Sequence, residues 1–132
     1  MKPEELLYNK THEWVHISSD NGVKVATIGI SAFAVEQLTD LVFMELPTAG
    51  RTVTAGEPMG EIESVKAVSD IYSPVTGEVL EVNEDLPNAL ETLNSDPYGK
   101  GWITKIRITD EASLDWLMDH AAYLRQCAEE SH

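Results

Sequence analysis

Short β-branched and aromatic runs, each closed within a few residues by a Gly, Pro, Asn or Asp turn signal, recur from Glu13 to Ile108 and leave no room for long helices. His-Glu-Trp-Val-His-Ile runs into Ser18-Ser19-Asp20-Asn21-Gly22, which predicts a hairpin pairing Glu13–Ile17 with Val23–Ile28. Ser31 is an N-cap candidate ahead of Phe33, Ala34 and Leu38, enough for one or two helical turns. Leu-Val-Phe-Met-Glu-Leu, ending at Pro47, reads as a short buried strand, and Thr52–Thr54 as a brief one between two Ala-Gly turns. Met59–Ser64 and Ala67–Tyr72 form a second hairpin, and Glu78–Val82 follows the Ser73-Pro74 turn. A short helix is expected around Ala89–Leu93, a strand at Trp102–Ile108, and a helix or helix pair from Asp110 carrying Leu114, Leu117, Met118, Ala121, Ala122 and Leu124. The pattern is that of a mainly β sandwich or barrel with added helices. A weak internal echo, AGEPMGEIES against SPVTGEVLEV, suggests two halves related by a pseudo-twofold axis.

At 132 residues the chain fits one domain, 1–132, with a β core over about 23–108 and a helical segment over about 110–130. Nine Lys and Arg against 23 Asp and Glu give a net charge of −14. That balance disfavours nucleic acid and anionic membrane surfaces and favours partners with basic docking faces. Cys127 stands alone in the polar segment YLRQCAEESH, where it reads as a surface thiol of a reducing compartment. The opening MKPEELLYNK has neither the apolar run of a secretory signal nor the acid-poor bias of a transit peptide, and no stretch reaches the length of a membrane span. A soluble, intracellular protein is expected: bacterial cytoplasm given Met1, or mitochondrial matrix if eukaryotic.

His12-Glu13-Trp14-Val15-His16 spells H-E-x-x-H, a zinc-protease motif only when a helix places both histidines on one face. Here the segment reads as strand, in which residues four apart lie about 13 Å from each other, too far to share one ion. The other histidines are His120 and His132, and there is neither a Gly-x-Ser-x-Gly elbow nor a phosphate-cradling glycine loop. A self-contained enzyme is disfavoured.

Lys66 is the basic residue of the second hairpin, with Glu61, Glu63 and Asp70 around it. Strand alternation puts Ile62, Ser64 and Lys66 on one face and Glu63, Val65 and Ala67 on the other. A lone lysine there can act as a gatekeeper against edge-to-edge aggregation. It can also be an acylation site, which needs an exposed amine on a rigid tip. Spacing alone favours the gatekeeper.

The run Glu63-Ser64-Val65-Lys66-Ala67-Val68-Ser69-Asp70, followed by Tyr72-Ser73-Pro74-Val75-Thr76-Gly77-Glu78-Val79, closely resembles the lipoyl-lysine site of the glycine cleavage H-protein family. The resemblance continues through His12-Glu13-Trp14-Val15, Thr27–Ile30, Glu36-Gln37-Leu38, Val42–Pro47, Ala55–Pro58, Asp96–Gly99 and Gly101-Trp102, in the family's order. It implies a lipoyl-domain barrel-sandwich hybrid with a C-terminal helix, and a carrier rather than an enzyme. Lipoate would sit in amide linkage on Lys66. The arm would take an aminomethyl group at a pyridoxal-phosphate glycine decarboxylase and present it to a tetrahydrofolate-dependent aminomethyltransferase. A dihydrolipoyl dehydrogenase would reoxidise it, and lipoyl-attaching enzymes would load Lys66. By position, Glu13 and Asp70 would line a cleft that shelters the loaded arm, where a carboxylate pair suits a cationic amine. The chain departs from many relatives in being more apolar at Ala32-Phe33 and Val35.

Two other carrier readings share these features: a biotinyl domain, disfavoured because Val65 and Ala67 replace the usual methionines beside the lysine, and a lipoyl donor to 2-oxoacid dehydrogenases.

Overall fold

The computed structural model describes residues 1–130, so that His132, the last of the four histidines, lies outside the described residues. Nine strands run in chain order: β1 Leu7–Tyr8, β2 Glu13–Asp20, β3 Val23–Ile30, β4 Leu41–Glu45, β5 Thr52–Val53, β6 Pro58–Ser64, β7 Val68–Tyr72, β8 Thr76–Val82 and β9 Thr104–Asp110. Helices α1 Ala32–Leu38, α2 Glu91–Ser95 and α3 His120–Glu130 are joined by 3-10 turns at Pro3–Glu5, Leu86–Asn88 and Glu111–Trp116. The strands form an antiparallel sheet in the order β1-β2-β3-β9-β8-β5 and a three-stranded one in the order β4-β6-β7. Ile28, Val79 and Ile106 of the first sheet and Met44, Ile62 and Ile71 of the second belong to one apolar core. This is the mainly β barrel-sandwich with a C-terminal helix that the chain's punctuation and its resemblance imply.

Local signals placed most turns. Asn21 and Gly22 both take positive φ (51° and 82°) between Asp20 and its partner Val23, the geometry that a two-residue hairpin loop demands. The Ser31 hydroxyl accepts from the Ala34 amide at 3.2 Å and starts α1. Asp110 caps the 3-10 helix by accepting from the Ala112 amide at 3.1 Å. Gly60 and Gly77, each followed by Glu in the internal echo, do equivalent work in different sheets. A Cβ on Gly60 would lie 2.6 Å from the Glu45 carbonyl oxygen, and one on Gly77 only 2.0 Å from that of Arg107. Each lets a neighbouring strand approach the backbone directly.

Several expectations are corrected. Leu41–Glu45 is not a buried strand: Val42 and Phe43 are 56% and 46% exposed, and only Met44 turns fully inward. β4 is an edge strand, pairing only with β6, and its register shifts between Leu41 and Phe43, so half of its apolar residues face out. Cys127 is not a surface thiol. It lies buried with Leu6, Tyr8, Trp14 and Tyr123 where α3 packs on the β1–β2 edge, and burial pushes its thiol pKa up. β9 begins at Thr104 because the Trp102 backbone is held in the preceding turn, its amide donating to Gly99 O and its carbonyl accepting from the Asn83 amide group. The helix placed at Ala89–Leu93 is a 3-10 turn followed by α2, two residues later. Strand alternation also stops at Ser64, so Lys66 lies on a turn rather than on the face of Ile62.

Candidate functional site

The β6–β7 hairpin carries Lys66 at its tip. Ser64 and Ala67 close the turn: the Ser64 amide donates to Ala67 O at 2.8 Å, and the Ala67 amide donates to the Ser64 hydroxyl at 3.1 Å. Val65 and Lys66 are left as the two central residues, and neither takes a positive φ. The Val65 amide donates to Asp40 O at 2.9 Å, which ties the tip to the α1–β4 connection. An exposed lysine is thus displayed on a backbone braced by three hydrogen bonds.

Partway along the hairpin lies a cavity of about 240 Å³, walled by Ile30, Phe33, Leu38 and Ile62 and containing both Glu13 and Asp70. At the usual strand rise, the four residues from Lys66 to Asp70 span about 13 Å. The two acids differ in kind. Glu13 is 3% exposed, and its carboxylate accepts from the Thr11 hydroxyl, from Asn9 Nδ2 at 3.3 Å and from the Tyr72 amide at 3.1 Å. Burial pushes its pKa up to about 7 despite those bonds. Asp70 is exposed on β7, and its carboxylate makes no hydrogen bond or ion pair among the described residues. It faces Glu61 across the sheet, and Glu61 faces Glu45, a row of three acids. An apolar-walled cavity with a buried carboxyl group and a carboxylate at its rim is suited to an aliphatic chain ending in a cation.

Sequence reasoning missed the frame that holds Glu13. His12 sits at φ 81° immediately before β2. Its Nδ1 lies 2.7 Å from the Tyr123 hydroxyl and its Nε2 3.0 Å from Glu130 Oε1, both from α3. Tyr123 also lies 2.5 Å from the Ser31 hydroxyl that caps α1. One phenol therefore links the residue before Glu13 to the helix that supplies Phe33 and Leu38. Tyr123 is 111 residues from His12, so no local pattern could reveal the pairing. His12 and His16 are separated along extended chain, and His16 pairs with Thr27 across the β2–β3 ladder. Among the described residues no three His, Cys, Asp or Glu side chains converge as a metal site, and no helix is long and apolar enough to cross a membrane.

The family model for "Glycine cleavage H-protein" matches residues 6–130. The chain is 56% identical over 127 residues to a glycine cleavage system H protein of Rhodopirellula baltica, covering 96% of each chain. It is 50% identical to one of Thermotoga maritima, covering 93% of this chain and 96% of that one. A crystal structure of a glycine cleavage system H protein from Mycobacterium marinum superposes with a TM-score of 0.83 at 38% identity, covering 95% of this chain and 98% of that one.

Proposed function

Because the chain belongs to the glycine cleavage H-protein family, whose members are non-catalytic lipoate carriers, we propose that Lys66 bears lipoate in amide linkage. The chain then shuttles an aminomethyl group from a pyridoxal-phosphate glycine decarboxylase to a tetrahydrofolate-dependent aminomethyltransferase, and reducing equivalents to a dihydrolipoyl dehydrogenase. The observation that carries this reading is the exposed Lys66 on a braced two-residue turn, with a carboxyl-containing cavity partway along the same hairpin.

The residues present fit the group. An acylating enzyme needs the amine clear of the surface and the backbone still, and the Ser64–Ala67 closure with the Asp40 tie supplies both. Lysine and lipoyl chain together extend on the order of 14 Å by summed bond lengths, comparable to the distance from Lys66 to the cavity. Ile30, Phe33, Leu38 and Ile62 offer an apolar wall for the aliphatic part of the arm. Lipoate supplies the reversible disulfide chemistry, and the protein's share is reach and shelter. Glu13 holds a proton over much of the neutral range, and a cation beside it favours the ionised form, so the site adapts its charge to what enters. Asp70 supplies a solvated negative charge at the rim. Elsewhere the net charge of −14 keeps the carrier diffusible and steers it to basic faces at high encounter rates.

Intact mass spectrometry of protein from a lipoate-competent host tests the attachment. A lipoyl increment mapped to Lys66 and absent in Lys66→Arg is expected; a biotinyl increment, or none, overturns it. Glycine–bicarbonate exchange with the partner decarboxylase tests the pathway: lipoylated protein should support exchange and Lys66→Arg should not.

A further inference from the structure

A cavity of about 430 Å³ lies away from Lys66, at the other end of the β6–β7 hairpin. Ala55 and Gly56 precede β6, Pro74 follows β7, and the 3-10 helix Glu111–Trp116 closes the remaining side. At the usual strand rise the eight residues from Lys66 to Pro74 place it roughly 26 Å from the lysine tip. Its walls are cross-bonded. The Ala55 amide donates to the Thr76 hydroxyl at 2.9 Å, the Thr76 amide to the Ser113 hydroxyl at 3.2 Å, and that hydroxyl to Asp110 O at 2.7 Å. The groove is therefore preformed, its inner polar groups already satisfied.

At its lip stands Trp116, 85% exposed. The other two tryptophans are accounted for within the molecule. Trp14 is buried and donates to Pro97 O at 2.9 Å, and Trp102 carries the Lys105 ammonium 5.2 Å from its ring centre. Among the described residues nothing covers Trp116. Its segment, Asp110 to Asp119, carries Asp110, Glu111, Asp115 and Asp119 and no basic residue, and among the described residues only Glu111 of these is in an ion pair, with Lys24. Asp110 uses one oxygen to cap the 3-10 helix, and its other accepts no hydrogen bond among the described residues. Lys10 is the one cation lining the groove, and it pairs with none of these acids.

A bare indole and an open carboxylate lining one rigid groove are complementary to a flat cation. We propose that this groove binds an arginine side chain presented by a surface loop of a partner protein, the guanidinium stacking on Trp116 and pairing with Asp110. Arginine suits it better than lysine because a planar guanidinium can lie on an indole while its edge reaches a carboxylate. Exposed tryptophans of this kind are over-represented among the residues that dominate interfaces. Docking there leaves the hairpin tip unobstructed, so a partner could hold the carrier at one pole while Lys66 remains free at the other. The inference does not depend on what Lys66 carries.

The test uses the full chain labelled with ¹⁵N, titrated with a blocked Gly-Arg-Gly-Arg-Gly peptide and with the same peptide in which citrulline replaces arginine. The Trp116 indole N–H and the Gly56 and Ala112 amides should shift saturably with the arginine peptide, while the Trp14 and Trp102 indoles stay still. Binding should weaken roughly fivefold or more with citrulline, and comparably in Asp110→Asn, where the cap survives but the charge does not. In Trp116→Ala the Gly56 and Ala112 shifts should fall likewise. Equal binding of both peptides, no saturable shift at the groove, or larger shifts along Glu45, Glu61 and Asp70 from general attraction to acidic surface would each overturn the proposal. Shifts of the groove resonances on raising protein concentration alone, the mark of a second copy in the groove, would overturn it as well.

Discussion

Replacing Glu13 with glutamine isolates the energetic cost of keeping an acid inside the cavity. Glu13 is 3% exposed, and burial raises its pKa from the ordinary 4.5 to about 7. Between those values the folded protein retains a proton that the unfolded chain has lost. Stability therefore falls as pH rises through that window and levels off above it, with no contribution from this group below 4.5. Each pKa unit corresponds to about 1.4 kcal/mol, so the full fall is about 3 kcal/mol. Glutamine cannot ionise, but it cannot accept both from the Tyr72 amide on one oxygen and from Asn9 and Thr11 on the other. That mismatch costs about 1 kcal/mol at every pH. Urea unfolding of the lipoate-free protein at pH 4.5, 6 and 8 reads the difference between the two proteins, cancelling the other carboxylates. The variant should be the less stable at pH 4.5 and the more stable at pH 8, the difference changing by about 3 kcal/mol. A difference that stays constant within about 0.5 kcal/mol across that range would refute burial as the cause of the shift.

Other perturbations probe the same frame. Glu13→Ala and Asp70→Ala should each speed non-enzymatic ammonia loss from the loaded carrier, followed by ammonia release in the absence of partner enzymes; unchanged rates would remove both from the shelter. Tyr123→Phe removes the hydroxyl shared by His12 and Ser31 and should cost about 1–2 kcal/mol in urea unfolding, leaving the stack on Tyr8 in place. Gly77→Ala would press a methyl group against the Arg107 carbonyl and should cost more than about 3 kcal/mol or prevent folding, whereas Gly22→Ala, with open space but a φ of 82°, should cost about 1 kcal/mol; paired thermal melts separate them.

Local chemistry was legible wherever a few adjacent residues settle the backbone. Asn21-Gly22 announces a two-residue loop, Ser31 a helix start and Asp110 a second one, and each does that in the fold. Burial was not legible to the same degree. Leu-Val-Phe-Met-Glu-Leu looked like core because its composition is apolar, yet an edge position with a register shift leaves Val42 and Phe43 in solvent. Cys127 looked like surface because its neighbours are polar, yet one face of α3 buries it beside Tyr123. The fold supports a role for Phe33 that its chain neighbours do not disclose, as part of the cavity wall.

The string around Lys66, read together with the ordered landmarks along the chain, sufficed to identify the family, because that information lies in residue identity and order. It also sufficed for a mainly β architecture, since turn residues and strand periodicity act over a few residues. The cavity was decided only by the tertiary structure, which brings Glu13, Asp70 and Phe33 together from three elements and ties the start of β2 to α1 through Tyr123, 111 residues from His12. The same is true of Glu13's charge. A carboxyl group's pKa depends on the water removed and the donors arranged around it, and both are properties of the folded surroundings. The lysine can be read in one dimension, whereas the cavity along its hairpin exists only in three.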